Sequence, residues 1–202
     1  MNKLISVVGA SGVGKTTLVN ALAKTGMFAT AFEQHAERPF QTLFKQQKEY
    51  ALANQVDYLL LRAEQEKQLR ASDKIGLMDG GLDLDFHGFT RLFHRRGLLT
   101  DPEFDLCFRL YSLFRELLPP PDLIVLLIAP GQIIKRRLAS RRRINIASAD
   151  DAELLGRFID EWLGSIPDHK ILRVNSVEER EHYPEATRKI LDWVVVGNSR
   201  PS

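Results

Sequence analysis

A glycine-rich segment follows an apolar run close to the start of the chain. Leu4–Val8 reads LISVV, and residues 9–16 read GASGVGKT. A loop of this kind between a buried strand and a helix binds phosphate, because glycines let successive backbone N–H groups approach the oxygens. Residues 17–23 continue with a helical pattern, so the positive end of a helix dipole also faces the anion. The sequence therefore predicts a nucleotide-binding α/β unit with ATP or GTP as its ligand.

The residues of this loop have different predicted tasks. Those expected to surround the phosphates are Gly9, Ala10, Ser11, Gly12, Val13, Gly14, Lys15, Thr16 and Thr17. Lys15 brings a positive charge to the bridging phosphates, and the Thr16 hydroxyl is predicted to ligate Mg²⁺. A glycine-rich turn without a ligand is the alternative, but the order of strand, loop and helix favours the binding loop.

Composition narrows the class of protein. The 202 residues suffice for one domain, and 28 Lys plus Arg against 26 Asp plus Glu give a net charge of +2. This balance argues against a nucleic-acid polymer or a membrane surface as partner. The single cysteine, Cys107, excludes an internal disulfide and fits a reducing compartment. The first predicted strand begins near Lys3 and no apolar run is long enough to span a membrane, so we expect a cytoplasmic protein.

Four further short apolar runs predict strands. They span residues 28–32, 74–78, 122–128 and 170–174. Helical patterns cover residues 15–24, 50–71, 87–96, 102–118, 131–140, 150–163 and 177–196. Three of the runs are apolar almost throughout, which is typical of parallel strands buried on both faces. We therefore expect an α/β fold in three layers, with a five-stranded parallel sheet between helices.

Acidic residues follow two of the predicted strands. Glu33 comes directly after the second strand and Asp79 directly after the third. The ligand of an open parallel sheet lies beyond the carboxyl ends of its strands. A helix cap explains either acid alone, whereas two acids beside a phosphate-binding loop favour a catalytic site. We interpret Glu33 as the base that contacts an attacking hydroxyl and accepts its proton, and Asp79 as a second ligand of Mg²⁺.

Six of the nine residues at positions 135–143 are basic. We predict a lid at approximately residues 136–149 whose arginines, Arg136 and Arg142, stabilise the charge of a transferring phosphoryl group. A solvated helix face is the alternative. Nucleic-acid binding is disfavoured, because no aromatic residues are interleaved with the basic ones.

Residues 43–62 carry a more specific pattern. Phe44, Tyr50, Gln55 and Arg62 share this segment, and Gln55 and Arg62 lie on one face of a helix about 10 Å apart. With the phosphate-binding loop, this segment resembles the deoxynucleoside kinases, and more distantly the thymidylate kinases. The resemblance implies that Gln55 binds the base, that Arg62 supports the site, and that the two aromatic side chains line the pocket for the sugar and the base.

Two more segments resemble the same family. Asp79 is followed by Asp85 and Phe89 at the family's spacing, which implies that Asp85 orients Arg62 or touches the base and that Phe89 stacks on it. Core packing at helical spacing explains Phe89 equally well. Ala129-Pro130 precedes the predicted lid arginines, as it does in the family. Over residues 9–143 the resemblance implies an ATP- and Mg²⁺-dependent P-loop kinase domain that phosphorylates the 5′-hydroxyl of a nucleoside-like acceptor, and it makes a homodimer possible.

The chain also departs from the family pattern. Gly80-Gly81 stand where the family has Arg-Ser, and Ile144-Asn145 where it has paired lid glutamates. We considered Arg38, His35 and Arg91 as replacements for the missing arginine. Three alternatives therefore stay open: a nucleoside monophosphate kinase, a nucleotide-dependent sensor or assembly protein, and a kinase of another small molecule.

Overall fold

Five parallel strands form the centre of the molecule in the computed structural model, which describes residues 2–32, 38–139, 151–179 and 182–198. The strands are β1 (Leu4–Val8), β2 (Phe28–Ala31), β3 (Ile75–Asp79), β4 (Leu123–Ile128) and β5 (Ile171–Asn175). They lie in the order β2-β3-β1-β4-β5, and every pair of neighbours is parallel. The prediction of a five-stranded parallel sheet is therefore confirmed.

Helices cover both faces of this sheet. They are α1 (Lys15–Ala23), α2 (Pro39–Gln46), α3 (Ala51–Ala71), α4 (Leu82–Leu84), α5 (Arg91–Arg95), α6 (Asp101–Leu117), α7 (Gly131–Ala139), α8 (Asp151–Leu163) and α9 (Pro184–Asn198). Short 3₁₀ turns at Lys48–Tyr50 and Asp168–Lys170 precede α3 and β5. None of the helices in the described ranges is long and apolar enough to cross a membrane.

The residues of β1 are buried on both faces of the sheet, as their uninterrupted apolar pattern predicts. Ile5 and Val7 belong to a core cluster that α1 and α9 complete, whereas Val8 packs in a cluster with α8. Leu4 packs against Leu69 of α3. The sheet is thus the middle of three layers, and the ends of its strands are the places left for a ligand.

The region between β2 and β3 differs from the prediction because it contains two helices. Gln47 adopts an extended conformation, with φ −139° and ψ 119°, and ends α2 before α3 begins. Pro39 in the first turn of α2 fits a helix start, since that position needs no backbone donor.

The last helix begins later than predicted, at Pro184 rather than at residue 177. The Glu179 carboxylate accepts hydrogen bonds from the backbone N–H groups of Glu185 and Ala186, at 3.3 and 2.7 Å, and so caps the helix start. Residues 176–179 form a turn that supplies this cap. The apolar pattern alone did not reveal the boundary.

Helical structure after β3 begins earlier than predicted, at Leu82 rather than at residue 87. Between α4 and α5 the chain forms a π-helical stretch, Asp85–Thr90, which carries two predicted acceptor residues. Gly80 and Gly81 have φ values of +86° and +137° and make the sharp transition from strand to helix. The Asp85 N–H donates to the Gly81 carbonyl at 3.0 Å, so the turn that begins at these glycines carries Asp85 to its contact with Arg62 of α3.

Candidate active site

The phosphate-binding loop follows β1, and its three glycines all have positive φ values, from +85° to +139°. Lys15 is 9% exposed, and its Nζ donates to the backbone carbonyls of Gly9 and Ala10 at 3.0 and 3.3 Å. The Lys15 side chain therefore lies across the phosphate-binding loop and contacts its first two residues. Backbone N–H groups of Thr17 and Leu18 donate to the Gly14 carbonyl, which begins α1.

Thr16 and Asp79 lie side by side at the ends of neighbouring elements. The Thr16 hydroxyl donates to Oδ2 of Asp79 at 2.5 Å, and the carboxylate is fully buried. A hydroxyl and a carboxylate are hard oxygen ligands of the kind that Mg²⁺ takes, together with water and the phosphates of a substrate. In the described ranges no group of three or more His, Cys, Asp or Glu residues forms a metal cage of its own. The two residues present fit a metal that arrives with a nucleotide.

A buried group of polar side chains links α3 to the π-helical stretch. Nε of Arg62 donates to Oδ2 of Asp85 at 2.8 Å, and the two side chains are 3% and 8% exposed. The Thr90 hydroxyl lies 3.0 Å from Oε1 of Gln55 and 3.1 Å from the Asp85 carbonyl. The structure thus brings Gln55, Arg62 and Asp85 together, in the arrangement that the resemblance implies for Asp85 and Arg62.

The same group reaches the end of β2. Nη1 of Arg62 donates to Oε1 of Gln65 at 3.1 Å, and Nε2 of Gln65 donates to the Phe32 carbonyl at 3.4 Å. Phe32 directly precedes Glu33, the predicted base, which lies outside the described residues, as does His35. The contacts therefore connect the predicted acceptor residues to the strand end from which Glu33 follows.

The place of the family's missing arginine is close to Arg62. A Cβ atom on Gly80 would lie 3.2 Å from Nη2 of Arg62. Of the three replacements considered, Arg38 and Arg91 lie in the described ranges, and they pair with Asp57 at 2.5 Å and with Glu161 at 2.6 Å. Arg62, which is itself paired with Asp85, lies directly beside position 80.

The predicted aromatic residues take different positions. Phe44 is 6% exposed and packs on Phe93 with their ring centroids 5.0 Å apart, and Tyr50 packs against the same cluster of α2, α3 and α6. Phe86 is also buried in this cluster. Phe89 is half-buried and packs toward α8 instead. Helical core spacing thus explains Phe86 and Phe93, while Phe89 faces a different side.

A buried polar network lies behind Asp85. Glu66 on α3 is 1% exposed and accepts from Arg70 at 3.0 Å and from Arg115 at 2.5 Å. Nε of Arg115 lies 3.4 Å from Asp83, whose carboxylate also accepts from the Tyr111 hydroxyl at 2.7 Å. The network ties α3 to α6 and to α4.

His87 ends this network on the side of α8. Since the Tyr111 proton is engaged with Asp83, Nε2 of His87 donates to the Tyr111 oxygen, at 3.1 Å. The imidazole also stacks on Trp162 at a centroid distance of 5.5 Å. Burial lowers the pKa of His87 to about 4, and the positive charges of Arg91 and Arg115 act in the same direction. The ring is therefore neutral at pH 7.

The predicted lid is described only in part. Arg136 on α7 is exposed, and Arg142 lies outside the described residues. The next residue, Arg137, reaches the phosphate-binding loop and donates to the Val13 carbonyl at 2.8 Å. The sequence pattern did not single out this residue, because six basic residues in nine offer no criterion to choose among them.

A cavity of about 790 Å³ opens beside the phosphate-binding loop. Its described walls come from the loop, the end of β4, α7 and α8. Neither Gln55 nor Arg62 is among the described residues that line it, so it is distinct from the group around Arg62. Its volume is in the range of small-molecule sites.

Comparison with known proteins gives the family of this fold and site. The family model for deoxynucleoside kinases matches residues 5–187. The chain belongs to the deoxynucleoside kinase family. This membership confirms the predictions of a nucleotide-binding fold and of an enzyme that phosphorylates nucleosides at the expense of ATP.

Individual relatives agree with this membership. The chain is 27% identical to deoxyadenosine kinase of Dictyostelium discoideum over 175 residues, which cover 85% of this chain and 71% of the relative. It is 25% identical to deoxyadenosine/deoxycytidine kinase of Bacillus subtilis (strain 168) over 145 residues, covering 70% and 67%. The fold is similar to that of deoxyadenosine kinase from M. mycoides with bound dCTP, at a TM-score of 0.78, 17% identity, and 94% and 99% coverage.

Proposed function

We propose that this deoxynucleoside kinase transfers the γ-phosphoryl group of Mg²⁺-bound ATP to the 5′-hydroxyl of a deoxynucleoside. The observation that carries the proposal is the buried group of Gln55, Arg62 and Asp85, which lies at the same edge of the sheet as the phosphate-binding loop. A nucleotide-dependent sensor would not need a buried ion pair and an amide beside the acceptor side of the loop. The Arg62–Asp85 ion pair and the Gln55 amide support an acceptor whose base has hydrogen-bonding atoms along its edge.

Each step of the transfer has a candidate residue in this chain. Lys15 and the loop amides hold the β- and γ-phosphates, and Thr16 and Asp79 are positioned to hold the metal, which neutralises the phosphate charge when it is bound. Glu33 accepts the proton of the 5′-hydroxyl as its oxygen attacks phosphorus and the bond to ADP breaks. Arg136 and Arg142 stabilise the charge on the equatorial oxygens.

Adenine is the base that we propose first, with cytosine second. Two relatives of this chain are a deoxyadenosine kinase and a deoxyadenosine/deoxycytidine kinase. Oε1 of Gln55 accepts from Thr90, so its Nε2 offers donors to a ring nitrogen, which both bases carry. By the family resemblance we assign Phe44, Tyr50 and Phe89 to the acceptor site, with Phe44 and Tyr50 on the side of the α6 cluster and Phe89 on the side of α8.

The test is a comparison of acceptors with ATP and Mg²⁺, in which ADP release and the mass of the product are measured. We expect deoxyadenosine to be phosphorylated with a higher kcat/KM than dAMP. Glu33→Gln should lower kcat by about 10²-fold or more while ADP affinity stays within about twofold. Glu49→Gln, an exposed acid before α3, is the matched control. Full turnover by Glu33→Gln would contradict the assignment, and a preference for dAMP would favour a monophosphate kinase.

We also propose that two copies of the chain pair through α6. Three leucines, Leu106, Leu113 and Leu117, are 45–62% exposed and lie along one stripe of this helix. Leu60 of α3, which packs beside α6, is 42% exposed. Light scattering of the wild type and of Leu113→Glu tests this, and a monomeric wild type at assay concentrations would exclude the dimer.

We further propose a cytoplasmic location and one kinase domain over residues 1–202 with a lid at about 136–149.

A further inference from the structure

Two side chains from outside the phosphate-binding loop contact the same carbonyl group within it. Nη1 of Arg137 on α7 donates to the Val13 carbonyl at 2.8 Å, and the hydroxyl of Tyr183, directly before α9, does so at 3.5 Å. Both residues also bind Ser176, which follows β5, and Nη1 of Arg137 lies 3.2 Å from its Oγ. The loop, α7 and the start of α9 therefore meet at one peptide group.

Tyr183 fits closely behind the next residue of the loop. A Cβ atom on Gly14, where φ is +116°, would lie 2.2 Å from the Tyr183 hydroxyl oxygen. Tyr183 itself has φ +54° and is 6% exposed, with its ring in the core among residues of α9. Because core packing fixes the ring, the hydroxyl has little freedom to leave the loop.

We infer that Arg137 and Tyr183 are positioning residues for the nucleotide, which hold the peptide between Val13 and Gly14 in the orientation that binds phosphate. The C=O and N–H groups of a trans peptide point in opposite directions. With the Val13 carbonyl fixed toward α7 and α9, the Gly14 N–H points away from them, toward the phosphate side of the loop. Flexible glycines at positions 12 and 14 would otherwise allow this peptide to rotate.

The inference deepens the proposed function, since it concerns the donor nucleotide of the same site. It predicts a selective effect: loss of either donor weakens the binding of nucleotide phosphates and leaves acceptor binding unchanged. The charged Arg137 contact should matter more than the longer Tyr183 contact, because hydrogen bonds with a charged partner are the stronger ones. A merely structural role would instead lower the melting temperature without a selective loss of nucleotide affinity.

The experiment compares Arg137→Met, which keeps an aliphatic chain, with Tyr183→Phe, which removes one oxygen atom. ADP binding is measured by calorimetry without acceptor, and the KM values for ATP and for the acceptor are measured separately. We expect ADP affinity to fall about tenfold or more in Arg137→Met and about threefold in Tyr183→Phe. The acceptor KM should stay within about twofold in both. Arg188→Met, an exposed arginine of α9, is the control and should bind ADP as the wild type does.

Two results would overturn the inference. The first is unchanged ADP affinity in both variants, whatever their melting temperatures. The second combines two observations: Tyr183→Phe binds ADP as tightly as the wild type, and the weaker ADP binding of Arg137→Met disappears in high salt. Arg137 would then act through long-range charge and not through the Val13 carbonyl. If Arg137→Met does not fold, Tyr183→Phe alone decides. ADP binding can be measured without turnover. A wild-type protein that binds ADP but phosphorylates no nucleoside would therefore refute the proposed function and leave the inference about Arg137 and Tyr183 standing.

Discussion

Gly80 allows a sharp test of the role assigned to Arg62. A substitution to alanine places a Cβ atom 3.2 Å from Nη2 of Arg62 at a residue whose φ is +86°. The guanidinium is held by Asp85 at 2.8 Å, so the new contact must shift it by a few tenths of an ångström against that bond. Gly97 provides a matched control, since its φ is +69° and a Cβ atom there would meet nothing within 4 Å.

Both alanine variants carry the same backbone strain of about 1–2 kcal/mol, and their melting temperatures should fall by about 2–4 °C for each kcal/mol. Only Gly80→Ala displaces Arg62. If this displacement weakens the binding of the acceptor by about 1.5 kcal/mol, the size of one charge-assisted hydrogen bond, kcat/KM for the deoxynucleoside falls about tenfold. The KM for ATP should change by less than about twofold in either variant.

The measurement is steady-state ADP release with the acceptor varied at saturating ATP, together with thermal melting of the same preparations. Equal acceptor kinetics in Gly80→Ala and Gly97→Ala would refute the reasoning, since the position of Arg62 would then not affect the acceptor. Gly80→Arg, which restores the residue type of the family pattern, should be worse than Gly80→Ala because two guanidinium groups would meet. A gain of activity in Gly80→Arg would show that Arg62 does not replace the missing arginine.

Three further predictions concern buried groups. Glu66→Gln leaves two buried arginines without their shared carboxylate and should cost about 3–5 kcal/mol of stability in denaturant unfolding, whereas the exposed Glu64→Gln should cost little. His87 has a folded pKa of about 4 against an unfolded value of 6.5, so stability is lost as pH falls from 6.5 toward 4, by up to about 2 kcal/mol after solvent screening. Melting of His87→Gln should show a smaller decline over this interval than the exposed His169→Gln, and equal declines would contradict the assignment. Asp79→Asn should raise the Mg²⁺ concentration for half-maximal rate at least about tenfold, and an unchanged Mg²⁺ titration would exclude Asp79 as a metal ligand.

The sheet could be predicted from sequence because its strands are apolar on both faces and separated by helical patterns. The predicted strand bounds 28–32 and 170–174 differ from the observed Phe28–Ala31 and Ile171–Asn175 by one residue. Helix boundaries were harder where side chains from elsewhere decide them. Glu179 caps the start of α9, and this contact spans seven residues of the chain without an apolar signal.

The site was predictable where residue type alone carries the chemistry. The neighbouring positions of Thr16 and Asp79 follow from the order of strand, loop and helix, and the pairing of Arg62 with Asp85 was implied by the family resemblance, while their roles in binding and catalysis stay predictions. Arg137 was not predictable, because its role depends on which of several adjacent arginines faces the loop. That choice is made by the rotation of α7 against the sheet, and no local pattern encodes it.

The length of α3 has a mechanical consequence. Arg70 at one end donates to the carbonyls of Pro119 and Pro120, at 2.6 and 3.1 Å, while Gln55 lies fifteen residues away toward the other end. At 1.5 Å per residue the helix acts as a lever of about 22 Å, so a tilt of about 2° at the anchor moves Gln55 by about 0.8 Å. Displacements of about 1 Å can cost a hundredfold in rate. With the role that we propose for Gln55, mutations at this proline-rich turn would alter substrate selection from the opposite end of α3.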